Sequence, residues 1–213
     1  MEYMTPSIYQ KIIKTLSYIY SKSAVDEKID LFRFKDVLDS FSEGQYKSKL
    51  WAVKELEKHI TDAHNACLII GGWYGFFSHI LCDRGFKNQI KNIDLDPICK
   101  IIGKKLCLFD NISFETGDGL DIFFNEKRNA ENKIVVCTAC EHIDSEELYF
   151  YLSNKNKNML VCLQSNNYYE VNSHVNCHDS LEEFIKSLPL KTILYSGTKR
   201  YKDDYDRFMV IGK

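Results

Sequence analysis

Ala66-Cys67-Leu68-Ile69-Ile70-Gly71-Gly72-Trp73-Tyr74-Gly75 is the stretch that decides the fold. An apolar run of strand length breaks on a glycine turn and passes into an amphipathic segment carrying Phe76, Phe77, Ile80 and Leu81. About 20 residues beyond the turn, a second run, Asn92-Ile93-Asp94-Leu95-Asp96-Pro97, ends on an acid. Open α/β sheets build a nucleotide site with this spacing: glycines let the backbone approach the ligand, and a carboxylate takes the ribose hydroxyls. The pattern therefore implies both a ligand class and its place at the sheet edge.

From residue 66 onward the chain alternates between strand and helix patterns. Strands are expected near 66–70, 89–93, 112–116, 133–137, 158–163, 191–196 and 206–212. Between them, Asp96-Pro97 opens a helix with Ile98, Ile101, Ile102 and Leu106 on one face, and Asp144 with Glu147 and Asp179 with Glu182 read as capping boxes. The last two strands are joined across Ser196-Gly197-Thr198 without a helix, which predicts an antiparallel hairpin closing a parallel sheet. Upstream, residues 1–62 read as a helical extension, distinct from a core at 63–213. Thr5-Pro6 starts a first helix with Ile8, Ile12, Ile13, Leu16 and Ile19. A second carries Leu31, Phe34, Val37 and Leu38; after a turn at Ser42-Glu43-Gly44-Gln45, a third carries Leu50, Val53, Leu56 and Ile60.

The 213 residues suffice for one sizeable core with an appendage. Hydrophobic content of 45% and charged content of 27% fit an ordinary globular chain. A net charge of -2 gives no global attraction to nucleic acid or acidic membranes, so such contacts need a local patch. No apolar run reaches the ~18 residues of a membrane span, and the polar start is unlike a secretory signal. Eight cysteines, many in apolar settings, suit a reducing compartment, so the cytoplasm is the expected location.

Five parallel strands with crossover helices and a closing antiparallel pair resemble the class I S-adenosylmethionine-dependent methyltransferases, over roughly residues 63–213. The resemblance implies a Rossmann-like, seven-stranded, mostly parallel α/β sheet with a C-terminal antiparallel hairpin. It also implies S-adenosylmethionine as cofactor and methyl transfer to an oxygen or nitrogen of an acceptor, with small molecule, protein and nucleic acid all left open. Gly71 and Gly75 match the first and third glycines of the family's GxGxG turn; Gly72 lies between them, Trp73 stands where the second glycine is usual, and Ile69 replaces the usual acid two residues before the turn. Asp94 matches the acid that holds the ribose. Asp118 and Gly119, within Gly117-Asp118-Gly119, resemble the adenine-binding segment, and Cys137 and Thr138 open the loop where such enzymes approach the methyl group.

Glu141-His142 leaves three readings open. It resembles the Glu-His of many small-molecule methyltransferases, with His142 as general base and Glu141 orienting it. It partly resembles the small-RNA 2′-O-methyltransferases, whose Glu-x-x-Glu-His and distant His hold a divalent metal, with Thr138 here at the first Glu position. The third is a loop-bracing histidine. Cys137-x-x-Cys140 with His174 to His178 is weighed as a zinc pattern, but there is no second CxxC, and no metal is expected. Gln164, Asn166, Asn167 and Tyr168, with His174, are expected to position the acceptor, since amides suit a neutral hydrogen-bonding group. Lys47, Lys49, Lys54 and Lys58 leave two readings, a local basic stripe or a plain solvated helix face with Trp51 packed on the core, and the second is expected. The altered glycine turn keeps a second class open, a catalytically inactive binding module of the same fold.

Overall fold

The computed structural model describes residues 14–18, 31–126, 133–201 and 205–213. The first expected helix lies outside the described residues apart from 14–18, which are helical. The described elements are α1 (Leu31–Ser40), α2 (Glu43–Leu56), β1 (Ala66–Ile70), α3 (Phe76–Asp83), β2 (Gln89–Asp94), α4 (Pro97–Leu106), β3 (Ile112–Thr116), α5 (Gly119–Glu126), β4 (Lys133–Cys137), α6 (Ser145–Ser153), β5 (Leu160–Asn166), α7 (Leu181–Ser187), β6 (Ile193–Tyr201) and β7 (Tyr205–Gly212).

One seven-stranded sheet runs in the order β3-β2-β1-β4-β5-β7-β6. Strands β1 to β5 are parallel, and β7 is antiparallel to both β5 and β6. Strand order reverses between β1 and β4, which opens a crevice at their carboxyl ends. Ile70 lies level with Ile93 and Cys137, and Asp94 with Thr116, so the loops after β1 to β4 leave the sheet at one rim.

The period-2 alternation of each central strand divides the core in two. Cys67, Ile69, Ile134, Val136, Leu160, Cys162, Met209 and Ile211 face one side, where they pack with Trp51 and Leu56 of α2 and Phe77 and Leu81 of α3. Leu68, Ile70, Val135, Cys137, Val161, Leu163, Phe208 and Val210 face the other, against Leu120, Phe123, Leu148, Leu152 and Phe184. A smaller cluster joins Val37 of α1 to Tyr74, Cys99, Ile102 and Leu106, which fixes α1 beside α4. Among the described residues no helix is long and apolar enough to cross a membrane.

Four local expectations need correction. Ser42-Glu43-Gly44-Gln45 is the start of α2, with Ser42 as its N-cap, rather than a separate turn. The cap of α7 is Ser180, one residue later than expected: its hydroxyl accepts from Glu183 N, while the Glu183 carboxylate accepts from Asp179 N. Ser196-Gly197-Thr198 lies inside β6, paired with Val210, Met209 and Phe208, so the chain does not turn there. Gly197 serves packing there, since a Cβ would sit 2.6 Å from the Tyr195 hydroxyl. Finally, β5 does not stop at Leu163. Gln164, Ser165 and Asn166 extend it, because β7 offers them antiparallel partners in Met209, Phe208 and Arg207.

Candidate active site

A cavity of about 610 Å³ occupies the crevice at the carboxyl edge of the sheet. Its floor comes from the loops after β1 (Gly71, Gly72, Trp73), β2 (Asp94, Leu95, Asp96), β3 (Gly117, Asp118, Gly119) and β4 (Thr138, Ala139, Glu141, His142). Arg33 and Asp36 of α1, Gln45 and Lys49 of α2, and Arg207 of β7 close it from the other side. The volume is in the range of sites for small ligands.

The glycine turn is held by backbone bonds from Gly72 N to Ile93 O and from Gly75 N to Gly72 O, both 2.9 Å. Gly75 has φ +82° and a Cβ there would meet the Phe114 ring at 2.7 Å, so only glycine fits. Gly75 lies behind the turn and does not line the cavity. Trp73 lines it and is the one non-glycine at positive φ (49°) among the described residues. Such a conformation is costly for a side-chain-bearing residue and persists where surrounding contacts impose it. Here the contacts are explicit: Trp73 N donates to Asp94 Oδ2 (2.9 Å), its indole N–H donates to Asp36 Oδ2 (3.2 Å), and its ring stacks on Tyr74.

Asp94 accepts from two backbone groups, Trp73 N on Oδ2 and Asp96 N on Oδ1 (3.0 Å). Each carboxylate oxygen accepts two bonds, so both keep a lone pair for a ligand. Asp118 caps α5, accepting from Leu120 N at 2.8 Å, and Gly119 abuts Ile70 so closely that a Cβ would sit 2.7 Å from its methyl group. Across the cleft, Asp36 accepts from the Tyr74 hydroxyl (2.5 Å) and from Arg33 (3.2 Å), and Arg33 also pairs with Asp96. Burial pushes the Tyr74 hydroxyl up, so it remains a donor. These contacts strap α1 over the glycine turn.

The loop after β4 is built around a buried ion pair. Glu141 is 3% exposed; its Oε1 accepts from Arg207 Nη2 (3.1 Å) and from Asn166 Nδ2 (2.8 Å), while its Oε2 has no partner. Arg207 Nη1 donates to the Thr138 carbonyl (3.0 Å). His142 is exposed, with Nδ1 donating to Ser173 O (3.1 Å), and its ring meets His174 edge-on at 4.6 Å. His174 Nδ1 donates to Tyr168 O (2.5 Å). A carboxyl oxygen of Glu141 and a ring nitrogen of each histidine lie within 4.8 Å of one another. Lys49 is 7% exposed and its ammonium is lowered to about 7, first by burial and then by the nearby Arg207 charge.

Thus Gly71, Gly72, Trp73, Asp94, Asp118, Gly119, Cys137, Thr138, Glu141 and His142 all line one cavity. None of the residues expected to position the acceptor lines this cavity. Gln164 is buried and bonded to Ser48 (3.1 Å), Asn166 braces Glu141, and Asn167 Oδ1 accepts from Asp206 N (2.7 Å). Tyr168 lines a second cavity that shares Gln45 and Arg207 with the first, and His174 stands edge-on to His142. All eight cysteines are free, and among the described residues the Cys137-x-x-Cys140 pair belongs to no metal-ligating cluster. Lys49, Arg33, Asp36 and Arg207 were missed as site residues. For Lys49 a signal existed: it shares helical spacing with Ala52, Val53 and Leu56, the buried face of α2.

No family defined from sequence matches the chain, and no curated protein matches it. Solved structures do. A geranyl diphosphate methyltransferase in complex with GPP and sinefungin superposes with TM-score 0.58 at 12% identity, covering 79% of this chain and 78% of that one. TrmK of M. capricolum in complex with S-adenosyl-homocysteine gives TM-score 0.52 at 16% identity, over 76% and 67%. A mutant of MtNAS in complex with S-adenosylmethionine gives 0.56 at 13%, over 97% and 72%. At such identities the likeness speaks for architecture alone, and together with the strand order and the position of the cleft it establishes that this chain has the class I S-adenosylmethionine-dependent methyltransferase fold.

Proposed function

We propose that the protein is an S-adenosylmethionine-dependent methyltransferase acting on an oxygen or nitrogen acceptor. The observation that carries the reading is Asp94, a carboxylate with one open lone pair on each oxygen, set beside the glycine turn in a wall rich in acids. Asp36, Asp94, Asp96, Asp118, Glu141, Asp144 and Glu147 line the cavity, against Arg33, Lys49 and Arg207. Two of those three cations are paired to wall carboxylates. Such a wall suits a cationic sulfonium ligand and repels the pyrophosphate of a nicotinamide dinucleotide. Crowding among acids is felt at Glu147, which burial and the charges of Asp118, Asp144 and Asp121 push up.

The bound sulfonium supplies an activated methyl group; the protein's work is alignment, water exclusion and proton handling. In this reading Asp94 takes the ribose hydroxyls, and Asp118 with Gly119 bounds the adenine. The strap from Arg33 and Asp36 keeps water out. The Glu141–Arg207 pair fixes the Thr138 carbonyl at the point of transfer. The acceptor's proton goes to His142, whose Nδ1 is occupied and whose Nε2 therefore carries the lone pair in the neutral ring.

A second reading, a metal-dependent methyltransferase, is favoured by the Glu141, His142 and His174 cluster. Both histidines donate Nδ1–H to a carbonyl, the outer-sphere arrangement that orients metal-binding imidazoles, and the unpartnered Glu141 Oε2 is a buried acceptor awaiting a cation or donor. A divalent ion held there would polarise an acceptor hydroxyl.

Thermal melting with S-adenosylmethionine, S-adenosylhomocysteine and a nicotinamide dinucleotide tests the first reading. A ligand at ~100 times its dissociation constant stabilises by about 2.7 kcal/mol, or about 6 °C for a chain of this length. The adenosyl ligands alone are expected to shift the native protein and to leave Asp94→Ala unshifted. An equal shift in a cooperatively folded Asp94→Ala would remove the assignment.

A further inference from the structure

Of the four lysines considered as one basic stripe, Lys49 is buried at the cleft and Lys58 lies beyond the end of α2. The other two, Lys47 and Lys54, line a second cavity of about 720 Å³, together with Lys199, Arg200 and Arg207 from the closing hairpin. Glu43 and Glu55 are the acids of the described lining; Lys47 pairs with Glu43 (2.6 Å), Arg200 with Asp206 (3.3 Å) and Arg207 with Glu141 (3.1 Å). The described lining still holds more cations than acids, in a chain whose net charge is -2.

Aromatic rings alternate with the cations. Tyr168, Tyr205 and Tyr201 form a ladder, with centroids 5.2 Å and 5.7 Å apart and the second pair nearly parallel at 13°. Trp51 lies under Lys199, whose ammonium is 4.9 Å from its ring centroid. Tyr201 is 9% exposed, with Ser48 beside its hydroxyl. Gln45 and Arg207 line both this cavity and the cleft, so the two are contiguous.

We propose that this second cavity is the acceptor groove for single-stranded nucleic acid, with phosphates on Lys47, Lys54 and Lys199 and a base stacked against the tyrosine ladder. Cations that track a backbone beside aromatic faces are how sequence-tolerant single-strand sites are built. An acidic peptide would satisfy the cations and leave the phenol ladder unused. A duplex keeps its bases stacked internally and offers no free face to the ladder. The inference rests on the methyl-transfer reading for its meaning as an acceptor site, although binding itself can be measured alone.

The test is tryptophan fluorescence titration of the full chain with single-stranded DNA and RNA oligonucleotides of about 12 nucleotides, with duplex DNA and poly-glutamate as comparisons, at 50 and 200 mM salt. Single strands are expected to bind and duplex and poly-glutamate to bind at least tenfold more weakly. Neutralising three phosphates gives a loss of about 10–20-fold across that salt range, from a slope of roughly 0.7 per phosphate. The triple variant Lys47→Ser, Lys54→Ser, Lys199→Ser, with Lys47 and Lys199 exposed and Lys54 half-buried, should flatten the salt dependence. Tyr205→Ala should weaken binding by about tenfold, as loss of one stacked base does. Absence of single-strand binding, unchanged affinity in both variants, or poly-glutamate binding as tightly would overturn the proposal. The S-adenosylhomocysteine melting shift, run on the same samples, separates this failure from failure of the methyl-transfer reading: a retained shift with no oligonucleotide binding removes the groove and leaves the cleft.

Discussion

Arg207→Met is expected to be the most damaging single change near the cleft that leaves the cleft's own lining carboxylates intact. In the native chain the guanidinium is buried, 3.1 Å from Glu141 Oε1 and 3.0 Å from the Thr138 carbonyl. Removing it strands a carboxylate that is 3% exposed, with Asn166 as its remaining side-chain donor and Oε2 already unpartnered. Breaking a buried pair in this way costs about 3–5 kcal/mol, because the partner's charge is left without compensation. With an unfolding entropy of about 2.1 cal/mol/K per residue, a chain of this length loses about 7–11 °C in Tm. Differential scanning calorimetry at neutral pH reads the change directly. The mechanism also predicts non-additivity: Arg207→Met combined with Glu141→Gln should recover at least 1–2 kcal/mol of the loss, since no charge is then stranded. A single variant within 2 °C of the native protein, or a double variant no more stable than the single, would refute the claim that an uncompensated buried charge sets the cost.

Lys49 supplies a pH signature. Its folded value, about 7, lies below that of an unfolded lysine, so the unfolded chain binds more protons between roughly pH 7 and pH 10 and the native protein gains stability as pH rises through that window. Lys49→Met removes this penalty: relative to the native chain it should be stabilised by about 2–4 kcal/mol at and below pH 7, with the difference fading toward pH 10. Melting curves of the two proteins from pH 6 to pH 10 check the sign; a difference that does not change with pH removes the buried-ammonium account. For the metal-dependent reading, isothermal titration with Mn²⁺ or Zn²⁺ should show one site in the native chain and none in His174→Ala. His174 is the informative choice because it does not line the cleft, so adenosyl-ligand binding should survive in the same variant.

The fold was legible because its signals are local. A strand buried on both faces must be a short apolar run, and Cys67 to Ile70 is one; the glycine turn, Asp94 and the Asp96-Pro97 helix start follow within one βαβ unit. Periodicity likewise placed all seven strands. Errors arose where a polar or small residue has two uses that only a neighbour distinguishes. Gly197 packs against Tyr195 instead of turning the chain, and Gln164 to Asn166 are strand residues because β7 pairs with them.

What the sequence by itself determined is the architecture, the rim of the crevice and the residues that short-range spacing ties to it: Gly71 to Trp73, Asp94, Asp118 and the Thr138–His142 loop. Tertiary structure decided which charges meet. Arg207 reaches Glu141 across 66 positions and Trp73 reaches Asp36 across 37. Lys49 is desolvated because α2 lies on the sheet, and Lys47 and Lys54 are joined to Lys199 and Arg200 because the hairpin returns beside that helix. Pattern and propensity act over a few residues, whereas ion pairing, burial of a charge and the walls of a groove depend on segments brought together only when the whole sheet has formed.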